Sequence, residues 1–315
     1  MTKVFIDGEA GTTGLQIADR VRTRNDLTLL RIDERQRKDA DARARLLEEA
    51  DVAILCLPDD AAREAVALAG ERCRILDAST AHRVNPDWVY GLPELEPGAR
   101  ERIACAQRVS NPGCYPQGFI LLTRPLIEAG VLPRDLPLRI HAVSGYSGGG
   151  RSLIETYQGF DAETRERYNT RPYALGLTHK HVPEMQHYSG CAQAPLFAPL
   201  VGDYYQGMLV HVPLFTSELN GRPTPEDVHG LLAERYADEA FVDVLPPRAA
   251  DALEAGFLDP SACNRSNRIE LMVFGHSEQL LLVARLDNLG KGAAGAAVQN
   301  LNLMIGVDET TGLTR

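Results

Sequence analysis

Lys3-Val-Phe-Ile-Asp7 runs directly into Gly8-Glu-Ala-Gly11-Thr-Thr-Gly14, and this junction decides the fold. An apolar run of strand length ends on a glycine-rich turn, and Leu15 to Arg24 then reads as a helix. Outward from it the alternation repeats. Leu27–Ile32 is a second strand, and Ala40–Glu49 is a charged helix. Asp51–Leu57 is a continuous apolar run, as expected of a strand buried on both faces. Asp60–Ala69 is helical and Arg74–Asp77 is a further strand. Strand and helix alternating at this spacing predict an α/β fold with a doubly wound parallel sheet of Rossmann type.

The turn itself suggests a ligand. Its glycines permit close backbone approach, and the helix N-terminus offers N–H groups and a positive dipole end to a pyrophosphate. Gly8, Gly11, Thr12, Thr13 and Gly14 are the candidate cofactor residues. The spacing is GxxGxxG rather than GxGxxG, so a glycine-rich turn without a ligand is the alternative. Asp33 closes the second strand where an acid would bind an NAD ribose. Arg35, Arg37 and Lys38 follow at once and could hold a 2′-phosphate, which favours NADP over NAD unless they form a solvated loop.

The middle of the chain changes character. Leu138–Val143, Gly207–Pro213, Arg268–Phe274 and Gln279–Arg285 are strand-like with few helices between them. They predict an α+β second domain built on a mixed or antiparallel sheet. Gly292–Met304 reads as a helix of small residues, with Leu301, Met304 and Ile305 at helical spacing.

Composition narrows the partners. A chain of 315 residues accommodates two domains. Lys+Arg number 33 against 43 Asp+Glu, a formal charge of −10, which argues against nucleic acid and an anionic membrane surface. No run approaches the ~18 apolar residues of a membrane span. The start turns polar by Asp7, without a signal-peptide core. Six cysteines, none in a CxxC pair, suggest a reducing, cytoplasmic setting in which a functional cysteine is a nucleophile.

One cysteine stands out. In Ser110-Asn-Pro-Gly-Cys114-Tyr-Pro-Gln-Gly118, prolines and glycines fix the backbone just before an apolar helix. A thiolate is stabilised at a helix N-terminus and is then a competent nucleophile. Cys56, inside an apolar run, is a core residue. Leu177-Thr-His-Lys-His181-Val-Pro-Glu184-Met-Gln-His187 supplies bases, and His181, ahead of a proline and an acid, is the candidate acid/base partner. His179 and His187 read as solvated surface. A metal set of His179, His181, Glu184 and His187 fits no standard zinc spacing. Ser144-Gly-Tyr-Ser-Gly-Gly-Gly-Arg151 follows a strand and could hold phosphate or carboxylate. Asp77-Ala-Ser-Thr-Ala-His-Arg83 lies at the C-terminal end of a parallel strand, with Arg83 a candidate carboxylate clamp.

Taken together, GEAGTTGL at 8–15, DASTAHR at 77–83, SNPGCYPQG at 110–118, SGYSGGGR at 144–151, HKHVPE at 179–184 and the segment 287–306 resemble the N-acetyl-γ-glutamyl-phosphate reductases of arginine synthesis, in their shorter form. That family is related to aspartate-semialdehyde dehydrogenase. The resemblance implies that Cys114 matches the catalytic cysteine and His181 the catalytic histidine. Gly11–Gly14 match the pyrophosphate turn, and Asn288, Gly290 and Gly292 a stretch near the nicotinamide. Arg83 and Arg151 match positions near the substrate, where Ser144 and Glu184 are also expected. It implies NADPH as cofactor, an acyl-phosphate substrate (an aspartyl or aminoadipyl phosphate being the alternative), and a homodimer or homotetramer. The expected division is a cofactor domain, 1–113 rejoined by 287–315, and a catalytic and dimerisation domain, 114–286.

Overall fold

Apolar β-rich runs separated by charged helices fold as alternating layers in the computed structural model, which describes residues 1–315. The N-terminal stretch contains β1 (Thr2–Asp7), α1 (Thr12–Arg22), β2 (Leu27–Leu30), α2 (Ala40–Glu49), β3 (Val52–Leu55), α3 (Asp59–Leu68), β4 (Arg74–Asp77), β5 (Val89–Tyr90), α4 (Ala99–Cys105) and β6 (Arg108–Ser110). The middle holds α5 (Cys114–Glu128), β7 (Arg139–Gly145), α6 (Gly150–Gln158), α7 (Ala162–Arg167), β8 (Thr170–Pro172), α8 (Val182–Ser189), β9 (Leu196–Gly202), β10 (Met208–Phe215), α9 (Pro225–Arg235), β11 (Val242–Val244), β12 (Leu253–Glu254), β13 (Phe257–Leu258), β14 (Ile269–Gly275) and β15 (Gln279–Leu286), and α10 (Gly295–Met304) follows. No helix is long and apolar enough to cross a membrane.

Met1–Pro112 and Ala293–Thr314 make one unit. Its six strands lie in the order β2-β1-β3-β4-β6-β5, all parallel. Helices cover both faces. Ile17 and Val21 of α1, Ile103 of α4 and Val298 and Leu301 of α10 pack with Val4, Ile6 and Leu76. Leu47 of α2 and Ala62 and Ala65 of α3 pack with Phe5, Ala53, Leu55 and Ile75 on the other face. Strand order reverses between β2 and β3 around β1, so the Gly8 turn stands at the C-terminal edge beside the switch point, where such sheets bind ligands.

Gly113–Gly292, with Arg315, makes the second unit. Its seven-stranded sheet runs β11-β14-β15-β10-β7-β9-β8. The β11/β14 and β7/β9 pairs are parallel and the other neighbours antiparallel, giving a mixed sheet. Helix α5 is buried along nearly its whole length and packs on β10, β14 and β15, flanked by α8 and α9. The expected pairing of a doubly wound parallel sheet with a mixed-sheet α+β domain is therefore what the chain builds.

Several boundaries differ from the sequence reading, and two of them bear on the candidate site. Residues 287–292, expected with the cofactor domain, belong to the second unit, because Asn288 accepts the Gly207 N–H and donates to Ser147 there. The helix expected from Gly292 also begins irregularly, with a π-helical turn over Gly290–Ala294 before α10.

At the end of β1, Asp7 is buried and paired with the equally buried Arg43 of α2 at 2.8 Å. Burial holds the Asp7 carboxyl above its ordinary range, although Arg43 pulls it down. A carboxyl raised in the folded state loses stability as pH climbs through its folded value. Arg43→Met removes the opposing charge, raises that carboxyl further and leaves a buried charge unpaired at neutral pH. The variant is expected to lose about 3–5 kcal/mol near neutrality and less in mild acid. Urea unfolding at the two pH values measures the difference.

Candidate active site

In the first unit the Gly8–Gly14 turn is tightly built. Gly8 takes φ +89°, and a Cβ on it would strike the Cys56 carbonyl. A Cβ on Gly14 would sit 2.8 Å from the Glu9 Cα. Gly11 N–H closes the turn on Gly8 O at 3.0 Å, and Gly11 is the N-cap of α1. The first-turn N–H groups of Thr12, Thr13 and Gly14 have no partners within the helix. Arg35, Arg37 and Lys38 are exposed in the loop after β2, and Asp33 accepts the Arg35 N–H.

The end of β4 is a buried polar knot. Asp77 accepts the N–H and hydroxyl of Ser79 at 2.9 and 2.7 Å, and its Oδ2 lies 2.6 Å from His82 Nδ1. The His82 ring stacks on Trp88 at 4.1 Å. Arg83, next along, is buried and donates to the Ala78 carbonyl.

In the second unit Cys114 is the first residue of α5, half-buried, behind the capping residue Gly113. Gly113 has no side chain to cap the helix; its own N–H donates to Glu184 Oε1 of α8 at 2.7 Å. His181 is the N-cap of the same α8, so one short helix brings both residues to the start of α5. Tyr115, adjacent to Cys114, places its ring 5.9 Å from His181, 6.0 Å from His179 and 5.0 Å from Phe197. Its hydroxyl accepts from Tyr173 at 3.0 Å and is bonded by Ser144. Burial, and then the charges that Tyr173 and Cys114 would carry beside it, push the Tyr115 phenol well up. Burial likewise pushes Tyr173 up to about 12.

Gly292 closes the other side. A Cβ there would fall 2.8 Å from the Cys114 Cβ, and the neighbouring Lys291 carbonyl accepts the Gln117 amide of α5 at 2.8 Å. The π turn thus rests on the first turn of the thiol-bearing helix.

The sequence residues separate accordingly. Cys114, His181, Glu184, Ser144 and Gly292 gather around the start of α5. Asn288 spends its amide on Gly207 and Ser147, and Arg151 is exposed on α6. Gly8–Gly14, Arg35 and Arg83 belong to the first unit. The reading of His179 as solvated surface is corrected. His179 packs against Tyr115, Tyr173 and Phe197, and its Nδ1 accepts the His181 N–H at 3.1 Å. His187 is exposed. Tyr115, Tyr173 and Gln117 were missed. The adjacency of Tyr115 to the cysteine and the H-x-H spacing were the available signals.

Fold and site together define a semialdehyde dehydrogenase type of oxidoreductase. The family model "Semialdehyde dehydrogenase, NAD binding domain" matches residues 3–103, and "Semialdehyde dehydrogenase, dimerisation domain" matches residues 114–288. Among solved structures, aspartate semialdehyde dehydrogenase from Francisella tularensis superposes with a TM-score of 0.73 at 15% identity, covering 97% of this chain and 100% of that one. The Vibrio cholerae enzyme II complexed with ASA gives 0.71 at 16%, over 97% and 98%. At such identities the likeness is one of fold. Closer in sequence, an N-acetyl-gamma-glutamyl-phosphate reductase 2 of Nostoc sp. is 55% identical over 99% of each chain. The reductase of Burkholderia cenocepacia is 52% identical over 96% of this chain and 97% of its own. The chain belongs to the N-acetyl-γ-glutamyl-phosphate reductase family.

Three of the other thiols, Cys56, Cys73 and Cys263, are unsuited to nucleophilic work. Burial, with the Asp77 and Asp7 charges, pushes Cys56 up to about 12. Burial raises Cys73 to about 11 and Cys263 to about 12. Brief iodoacetamide treatment of the folded protein at about pH 8 is expected to label Cys114 and the exposed Cys105 and to spare those three. Peptide mass mapping reads the pattern.

Proposed function

We propose that this chain reduces N-acetyl-γ-glutamyl phosphate to N-acetylglutamate semialdehyde with NADPH, in arginine biosynthesis. Full-length identity to reductases of that name carries the reading, and the arrangement around Cys114 supplies its chemistry.

The Cys114 thiolate, at the positive end of α5, attacks the acyl carbon; the bond to phosphate breaks and a thioester forms. Backbone N–H groups of the first turn are the available donors to the developing oxyanion. When bound, the nicotinamide supplies the hydride that reduces the thioester. His181 then handles the proton at the hemithioacetal oxygen, and collapse returns the thiolate and the aldehyde. His179, bonded to the His181 backbone and walled by aromatic rings, holds that imidazole in place. Ser144, Arg151 and Arg83 are the side chains assigned to substrate oxygens.

The cofactor fits the first unit. At Gly8 and Gly14 the turn has no room for a side chain, as close approach of a pyrophosphate demands. Thr12 and Thr13 add first-turn N–H groups, and the cations Arg35, Arg37 and Lys38 favour a 2′-phosphate. Asn288 and Gly292 act from the segment after β15 by shaping the backbone there. The first unit is thus the cofactor domain and the second the catalytic one. The second unit also carries self-association, as a homodimer or a homotetramer. Leu196 of β9 and Phe215 of β10, 47% and 51% exposed, lie on the same sheet face, opposite α5.

Four outcomes test this. Wild-type protein should form NADPH from N-acetylglutamate semialdehyde and phosphate, and far less from aspartate semialdehyde. Cys114→Ser should abolish turnover yet bind NADPH normally. His181→Asn should lower kcat roughly 10²–10⁴-fold and remove one limb of the pH profile. In nucleotide titrations NADPH should bind more tightly than NADH; equal binding would reassign the ribose to Asp33.

A further inference from the structure

The acid of the HKHVPE element is almost completely buried, at 1% exposure, and bonded to backbone rather than open to a substrate. It is the third residue of α8, two after the N-cap neighbour Val182, with Pro183 fixing the turn between. Its Oε1 accepts the Gly113 N–H at 2.7 Å. Helix α5 has no acid in its own first turn and no side-chain cap. The carboxylate at its N-terminus therefore comes from another helix, and that helix also carries His181.

We infer that Glu184 is a positioning residue for the Cys114 thiol: it ties the His181-bearing helix to the residue before the nucleophile and sets the charge felt there. The inference rests on Cys114 being the reactive thiol. The helix end favours a thiolate, whereas a carboxylate one residue away disfavours it. The balance matters because thiolate nucleophilicity falls as thiol acidity rises, and attack is fastest when the thiol titrates near the working pH. An unopposed helix end would give an abundant but sluggish thiolate. Glu184 offsets that field while using its bond to lock the Gly113 backbone.

The other titratable groups at this junction are Tyr115 on α5, Tyr173 and His179 before α8, His181 and Tyr188 on α8, and Lys291 in the π turn. Both tyrosines beside Cys114 are held protonated by burial, so they bring no charge at neutral pH. Tyr188 is pushed up by burial and by the Glu184 charge.

The test is the pH profile of Cys114 alkylation by iodoacetamide in the full-length protein without substrate or nucleotide, read by peptide mass mapping. Glu184→Gln keeps an acceptor for Gly113 but removes the charge. Its midpoint is expected about one pH unit below wild type, with a lower limiting rate, while circular dichroism and melting stay close to wild type. In turnover, kcat should fall and KM for the semialdehyde should hold. Should Glu184→Gln not fold, Glu184→Asp, with the charge withdrawn by one methylene, should shift the midpoint the same way by less. An unmoved midpoint in a folded variant overturns the inference, as does a rise in KM alone, which would return Glu184 to substrate contact. A shifted midpoint in a protein that turns over no semialdehyde would sink the proposed reaction and leave this inference standing.

Discussion

A polar atom sealed from water must find a partner, and the segment from Asp287 to Asn302 places one such atom after another in the interior. Asp287, Asn288, Lys291, Gln299, Asn300 and Asn302 are all at or below 2% exposure. Within the second unit the Asp287 carboxylate accepts the N–H groups of Arg265 and Leu289, and Asn288 bonds Gly207 and Ser147. Within the first, Asn300 donates to Gly91 O and Asn111 Oδ1, and Asn302 to the carbonyls of Glu309 and Thr311. Each such group left unpaired would cost about 1–3 kcal/mol. A slip of one residue would orphan several at once, so the segment has one register. The loops it bonds are held by the same requirement.

Cys114 inherits this rigidity. Helix α5 is packed on all sides, so its first turn cannot drift to accommodate a neighbour. Gly292 in the π turn leaves no space for a side chain beside the thiol-bearing carbon of Cys114. π-Helical turns are rare and concentrate at functional sites. Here the extra residue in the turn lets the Lys291 carbonyl meet Gln117 while Gly292 still faces Cys114.

Local chemistry made much of this legible in advance. Ala40–Glu49 and Arg74–Asp77 were read with the limits they have, because charge pattern and apolar runs are local signals. The glycines at 8, 11 and 14 announced their turn: at Gly8 the left-handed backbone and lack of space demand glycine, and at Gly14 lack of space does. The helix start at Cys114 was legible from its Pro/Gly frame. What escaped notice depends on distant partners. His179 looked solvated because nothing near it in sequence shows that Tyr115 and Phe197 will enclose it. The bond of Glu184 to Gly113 was not foreseeable because it spans 71 positions of chain. The π turn has no composition of its own, and the tertiary bonds beside it, made by Lys291 and Asn288, join residues far apart in sequence.

The first unit is discontinuous, and this has a temporal consequence. Its sheet is complete by Ser110, but the core layer on one face needs Val298, Leu301 and Met304 from the far end of the chain. During synthesis those residues emerge only after the whole second unit has been made. The second unit, nearly contiguous in sequence, can close first; the unit that begins the chain finishes last. Until then the layer that α1 and α4 begin on that face is incomplete, and its uncovered apolar residues are an aggregation hazard for the nascent polypeptide.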